Sequence, residues 1–335
     1  MNAEAITELG LVYVSDTEPG IRRRRKGKGF SYVMPDGKTL SDQSQRARIS
    51  ALGLPPAYEN VWICLYDNGH LQATGFDARG RKQYRYHKEW QSFRSAGKFH
   101  QLIEFGRALP RIRRTVLRHL DTGAEDINGV LAALTTLLDE AHLRVGNQAY
   151  VRENDTYGAT TLLKRHLKIV DGQIELKFRA KGGKRVQRSL KHPRLQKILE
   201  EIADLPGRQL FVWKDESGAL KPIDSGRLNS YLAEISGIPI SAKTFRTWAG
   251  SLAAFGAARE RIASGSRPTV KDMSEAAAGA LHNTPAIARS SYIHPAIIAL
   301  AGNDHPLIES GSEPLRGLRA EENRLLDFLT REIEE

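Results

Sequence analysis

Residues 281 to 295 read LHNTPAIARSSYIHP, with one tyrosine among His282, Asn283, Thr284, Arg289, two serines and His294. Two readings are open for Tyr292: a buried aromatic with a hydrated hydroxyl, or a nucleophile. A tyrosine hydroxyl, with an ordinary pKa of about 10, is poorly reactive at neutral pH and needs electrostatic help at its electrophile. A phosphodiester would ask for further groups. Negative charge grows on the phosphorane oxygens, and arginines meet it with planar donors that never lose their own charge. The departing 5′ oxygen must be protonated, so a general acid is needed. A lysine can serve if neighbouring cations favour its neutral form. Residues of these types stand in HLRVGN (Arg144), FRAKGGK (Lys181) and KTFRTWAG (Arg246). Each alone also has an ordinary structural explanation. Arg144 could be a solvated or carboxylate-paired arginine at a helix end, and Lys181 a polar turn residue. Phe245 and Trp248 sit at helical spacing as core, which leaves Arg246 pointing elsewhere.

The whole chain bounds these possibilities. Its 335 residues exceed the usual size of one core and predict two domains. Fifty Lys and Arg against 39 Asp and Glu leave a charge of +11 and a pI near 9.7. Such a balance points to an anionic partner, nucleic acid first and a membrane surface second. The single cysteine, Cys64 in apolar VWICLY, can form neither an internal disulfide nor a thiolate metal site, and reads as a small core side chain in a reducing compartment. The first twenty residues lack a secretory signal pattern, and no run reaches the roughly 18 apolar residues of a membrane span. A cytoplasmic, nucleoid-associated protein is expected. With no Walker loop, HExxH or EF-hand pattern, neither a nucleotide nor a metal cofactor is suggested.

The elements that must position these residues change character along the chain. From about 10 to 87, the runs LVYV, FSYV, VWICLY and HLQATGF alternate with the turn sequences MPDGK, YDNGH and FDARGR, predicting a small antiparallel sheet. Beyond Trp90 the pattern is mainly helical, with Ile127, Val130, Leu131, Leu134, Leu137 and Leu138 on one stripe. Residues 167 to 190 interrupt it with three strand-like runs around Asp171-Gly172 and Lys181-Gly182-Gly183-Lys184, a three-stranded hairpin sheet. The last sixteen residues read as a closing amphipathic helix. The predicted class is α+β, with a β-sheet domain over 1–90 and a mainly α domain over 91–335.

In this order, RVGN, the KxGK tip, KTFRTWAG and NTPxxxxxSYIHP closely resemble the type IB DNA topoisomerases of bacterial and poxvirus type. PPAYENVWI, NGHLQATGFDARGRKQYRYH and DGKTLSD resemble that family's amino-terminal module, so the likeness spans roughly residues 10 to 300. The resemblance implies Tyr292 as the nucleophile of a 3′-phosphotyrosyl bond, Arg144 and Arg246 as clamps on the non-bridging oxygens, and Lys181 as general acid. The fifth group is a histidine in many members, nine residues before the tyrosine, where this chain has Asn283. An amide N–H can donate to a phosphate oxygen but carries no charge and shuttles no proton, so no pH dependence is expected from Asn283. His282 and His294 are expected bystanders; His282 lies ten residues before Tyr292 and, in a continuous helix, points off the Asn283 face.

Double-stranded DNA is the implied partner of a monomer. Tyr150 is suggested as a phosphate contact by the resemblance and equally reads as a packing tyrosine. In RGRKQYRYH, Arg81 and Lys82 precede a strand that puts Gln83 and Arg85 on one face and Tyr84 and Tyr86 on the other, one face being core. The run RRRRKGK, six cations in residues 22 to 28, reads as a solvated, partly disordered arm or a DNA-binding one. Two other functions remain: a site-specific recombinase of the same chemistry, against which the amino-terminal sheet speaks, and a DNA-binding relative without catalysis, against which the four retained residues speak.

Overall fold

Alternating β-formers and tight turns build the first part of the chain. A computed structural model describes residues 3–302 and 313–334, apart from the side chains of residues 3–5, 95, 96, 98, 100, 150, 333 and 334. The chain divides into two compact units, residues 1–98 and 99–335. In the first, a short helix α1 (Ala3–Glu8) precedes strands β1 (Ile21–Lys26) and β2 (Gly29–Val33). Helix α2 (Gln43–Ala51) and strands β3 (Glu59–Ile63), β4 (Leu71–Phe76) and β5 (Lys82–Tyr86) come after them. The five strands form an antiparallel sheet in the order β2-β1-β3-β4-β5. Ile21, Ile49, Val61, Ile63 and Ala73 pack as one core on it.

Two expectations fail here. LVYV is not a strand and lies outside the five-stranded sheet. Val12 makes only an isolated bridge to Gly69, and the Val14 amide donates to His70 Nδ1 at 3.2 Å. The arginine run is not a disordered arm but β1 itself. Gly27, at a φ of 57°, turns the chain so that Lys26 pairs with Gly29 and Arg22 with Val33. The ladder uses backbone groups only and tolerates any exposed side chain. Arg23 is further tied down, donating to the carbonyls of Leu54, Pro55 and Tyr58 at 3.2, 2.9 and 2.7 Å. Strand β3 stops at Ile63, and Cys64 beyond it is buried as expected, its thiol pushed upward in pKa by burial.

Helix α3 (Lys88–Leu120) leads into the larger unit. There α4 (Ile127–Glu140) and α5 (Gln148–Asn154) precede the hairpin strands β6 (Leu167–Val170), β7 (Gln173–Arg179) and β8 (Arg185–Leu190), a three-stranded sheet in sequence order. Then come α6 (Pro193–Asp204), a small unforeseen hairpin of β9 (Val212–Lys214) and β10 (Leu220–Pro222), and α7 (Ser225–Ser236). The helices α8 (Ala242–Ala263), α9 (Val270–Leu281), α10 (Pro285–Tyr292), α11 (Pro295–Ala299) and α12 (Ala320–Glu334) complete it.

Helix α4 is more deeply placed than one apolar stripe requires. Asp126 caps it, accepting from the Asn128 amide, and every residue from Gly129 to Leu138 is buried. Helices α6, α7 and α8 pack around it. Thr135 and Thr136 survive there because their hydroxyls donate to the carbonyls of Leu131 and Ala132, at 2.8 and 2.9 Å. At its carboxyl end Asp139 joins a buried ion cluster. Arg113 of α3 donates to Asp139 at 2.8 Å and, through both terminal nitrogens, to Glu322 of α12 at 2.8 Å. This cluster ties the closing helix to α3 and α4. Burial raises the Glu322 pKa, but hydrogen bonds from Arg113 outweigh it and hold the carboxyl below 4.5. A lowered carboxylate pKa stabilises the fold above the unfolded value and ceases to do so as pH falls through the folded one. Glu322→Gln should therefore cost about 3 kcal/mol at pH 7, the cost of breaking a buried pair. The gap to wild type should close as pH drops from 4.5 through the lowered value, as read by denaturant unfolding at several pH values.

Candidate active site

Four residues from distant stretches line one open pocket of about 360 Å³: Arg144, Lys181, Arg246 and Tyr292, with Lys243, Asn147 and Tyr157 among its walls. Each is delivered by a different element. Arg144 stands in the loop after α4, which is pinned when the amides of Ala159 and Thr160 donate to the carbonyls of Arg144 and Val145 at 2.7 and 2.8 Å. Lys181 sits at the tip between β7 and β8, where Gly182 and Gly183 adopt φ of 80° and 77° that side chains other than glycine resist. Tyr292 is the last residue of α10.

Arg246 is on α8, where every residue from Thr244 to Ser251 is buried, and it is itself 4% exposed. Phe245 and Trp248 are core as expected, and Arg246, equally enclosed, lines the pocket that they do not. Its guanidinium donates to the carbonyl of His142, just beyond α4, and to that of Leu281, the last residue of α9, at 3.0 Å. Helix-end carbonyls lack intrahelical partners and carry partial negative charge, so a cation suits them. Burial, then repulsion from Arg144, lowers the Arg246 pKa to about 10, which leaves it charged at neutral pH. The guanidinium carbon lies 5.1 Å from the centre of the Tyr292 ring. Burial raises the Tyr292 pKa, but the charge and hydrogen bonding of Arg246, helped by Arg144 and Lys243, bring it below the ordinary tyrosine value.

The stretch from Leu281 to Tyr292 is not one helix. Helix α9 ends at Leu281, His282 turns the chain at a φ of 49°, and α10 starts anew behind the Thr284 cap, because Pro285 cannot continue a helix. Asn283 falls in this break. Its side-chain oxygen accepts from Arg144, and since a guanidinium only donates, the amide nitrogen is left as donor; it is buried without a hydrogen-bond partner. His282, with Nε2 also buried and unpartnered, is pushed down in pKa by burial and by the cations around it. His294 caps α11 by accepting from the Ala296 amide at 3.2 Å.

The other candidates lie elsewhere. Tyr150 is in α5, its side chain outside those described. Arg81, Lys82, Gln83, Tyr84, Arg85 and Tyr86 lie on or just before β5 in the first unit. Neither face of β5 is deep core. Tyr84 is 52% exposed and stacks on Tyr86 at 6.1 Å, and only Tyr86 packs partly against Trp62 and Leu71. Several of these polar groups have partners within the unit: Arg81 and Gln83 bond Asp77, Lys82 bonds Asp16, and Arg85 donates to the Gly53 carbonyl. Among the described residues no three His, Cys, Asp or Glu side chains gather where a metal could be held.

Sequence reasoning missed the seat of Tyr292. The Ser251 hydroxyl donates to the Tyr292 carbonyl at 3.2 Å and accepts from the His294 amide at 3.0 Å. A methyl group at Gly250 would lie 2.8 Å from the Tyr292 carbonyl oxygen and 2.9 Å from its Cβ. A Gly-Ser pair inside a buried helix is disfavoured by propensity, and that was the available signal. It also missed Lys243, one helical turn before Arg246 and on the same side.

A tyrosine that shares its pocket with two arginines and two lysines has the equipment of a phosphoryl-transfer site. Comparison with known proteins agrees in class. Residues 87–285 match the catalytic core of eukaryotic DNA topoisomerase I, and residues 29–77 the amino-terminal domain of bacterial DNA topoisomerase IB. The DNA topoisomerase 1B of Acanthamoeba polyphaga mimivirus is 30% identical over 285 residues, covering 82% of this chain and 85% of its own. That of vaccinia virus (strain Copenhagen) is 28% identical over 121 residues, 36% of this chain and 38% of its own. The chain belongs to the type IB DNA topoisomerases, isomerases whose substrate is DNA. Gly250→Ala should fold and still bind duplex, yet turn over on the order of a hundredfold more slowly, since a displacement near 1 Å costs that much. Unchanged turnover would show that the tyrosine seat has slack.

Proposed function

We propose that this protein relaxes supercoiled duplex DNA by cutting and resealing one strand through a 3′-phosphotyrosyl intermediate, without ATP or a metal ion. The observation that carries this reading is the convergence of Arg144, Lys181, Arg246 and Tyr292 on one pocket. The Tyr292 oxygen attacks the phosphorus and gives up its phenolic proton to solvent water; the O–P bond forms and the bond to the 5′ oxygen breaks. Arg144 and Arg246 hold the two non-bridging oxygens, and the unpartnered Asn283 amide adds a neutral donor. Lys181 gives its proton to the departing 5′ oxygen. Religation runs the same steps backwards, the 5′ hydroxyl returning its proton to Lys181 and the released Tyr292 oxygen regaining one from water. The phosphodiester's energy is kept in the tyrosyl ester, so no nucleotide need be spent, and the arginines supply the charge that a metal would.

All five groups come from one chain, so a monomer suffices. Tyr150 and the β5 set, Arg81, Lys82, Gln83, Tyr84, Arg85 and Tyr86, are proposed to contact the duplex, and the cell's own DNA in the cytoplasm is the proposed substrate. Among the described residues no helix is long and apolar enough to cross a membrane.

Relaxation of supercoiled plasmid in EDTA without ATP tests the reading directly. Wild type should relax it and Tyr292→Phe should not; an inactive wild type or an active phenylalanine variant refutes the proposal. Lys181→Ala should cleave roughly 10²- to 10⁴-fold more slowly, the usual worth of a general acid. It should recover on a substrate with sulfur at the 5′ bridging position, because a thiolate leaves unprotonated. Failure to recover would remove Lys181 from the acid role.

A further inference from the structure

Arg188 on β8 is a partly buried arginine that no motif marks. Its Nε donates to the Ala141 carbonyl at 2.9 Å and a terminal nitrogen to the Ala280 carbonyl at 2.6 Å. Arg246 bonds the next carbonyl along each of the same two segments, His142 and Leu281. The two arginines, one from the hairpin and one from α8, clasp the same pair of helix ends.

Directly beyond those ends the chain carries its phosphate-binding equipment. Arg144 comes three residues after Ala141, and Asn283 three residues after Ala280. The two loops are also joined to each other, Arg144 donating to Asn283. A small cavity behind the pocket is lined by Arg188 and Arg246 together with His142, Arg144 and His282. The titratable groups that line this space are Arg144, Arg188, Arg246, Tyr157 and two histidines, His142 pushed down to a pKa of about 4 by burial and His282 lowered by burial and the nearby cations. Arg188 takes up carbonyls where the structural Arg113 takes up two carboxylates. Its positive charge therefore stays uncompensated beside the site, at a burial that lowers its own pKa. That is a costly arrangement for a residue whose only task is to hold β8 in place.

We propose that Arg188 is a positioning residue of strand cleavage, fixing the spacing of the two loops that carry Arg144 and Asn283 and thereby the geometry of the phosphate clamp. The proposal rests on the tyrosyl-transfer reading above. A planar fork is what lets one side chain span two carbonyls from segments so far apart in sequence; a lysine offers one point charge on a flexible stem. Arg188 could instead act through the hairpin tip and Lys181, and the two routes differ in which oxygen of the phosphate they affect.

Single-turnover cleavage of a short duplex separates them. Wild type, Arg188→Ala, Arg188→Lys and Lys181→Ala are compared on an ordinary phosphodiester, a 5′-sulfur linkage and a methylphosphonate. Cleavage by wild type on the ordinary linkage is the prior condition; without it the tyrosyl-transfer reading itself falls. Arg188→Ala should melt as wild type does and bind duplex equally, yet cleave on the order of 100-fold more slowly, as a displaced clamp would. Sulfur should restore Lys181→Ala and leave Arg188→Ala slow. The Arg188→Ala defect should narrow on the methylphosphonate, which lacks the negative oxygen that the clamp serves. A folded Arg188→Ala that cleaves at the wild-type rate, or one restored by sulfur, overturns the proposal. Should the alanine variant not fold, Arg188→Lys is read in its place, slow and sulfur-insensitive cleavage supporting the proposal and wild-type cleavage overturning it.

Discussion

A cation is buried next to Tyr292 and held by carbonyls, and much of the larger unit can be understood from that constraint. Arg246 is almost wholly enclosed, and the usual remedy for a buried arginine, an aspartate or glutamate, would cancel its charge. The fold answers with carbonyls from two helix ends. They satisfy the guanidinium's donors and stabilise its charge by their partial negative character while leaving the net charge intact. Helices α4 and α9 must therefore end side by side in front of α8. The burial of α4 on nearly every side is what holds its end there.

Arg113 shows the alternative treatment in the same unit. Its role is mechanical, linking α3, α4 and α12, and it is matched by Asp139 and Glu322. Two cations at β5 of the first unit are partnered in the same manner, Arg81 by Asp77 and Lys82 by Asp16. Arg246 and Arg188 are given carbonyls, and Arg144 an amide oxygen. Carbonyls also hold Arg23 in the first unit, so what sets Arg246 and Arg188 apart is that they hold the same two segments together.

Asn283 profits from the same arrangement. A free asparagine could present either end of its amide to a ligand. The guanidinium of Arg144, able only to donate, claims the oxygen and leaves the buried NH₂ as an unpartnered donor. One hydrogen bond between two loops thus fixes which end of the Asn283 amide is left as donor. The break between α9 and α10 makes this possible: a continuous helix would carry Asn283 in its own ladder, and Pro285 forbids that continuation.

Much of this was legible in the sequence. The turn dipeptides Asp171-Gly172 and Gly182-Gly183 marked the three-stranded hairpin, because left-handed backbone is a local property of residue type. The α+β class and the family could be read from alternation and from ordered motifs. The strand within RRRRK was not legible, since side-chain charge says nothing about a ladder made by backbone groups, and LVYV, with a strand's composition, makes only an isolated bridge and a side-chain bond to His70. Arg188 had no signal at all. By itself the sequence determined which residue types were available for phosphoryl transfer and the local turns that carry them. Only the tertiary structure decided which arginines meet carbonyls and which meet carboxylates, because those partners come from helix ends more than a hundred residues apart along the chain, brought together by packing.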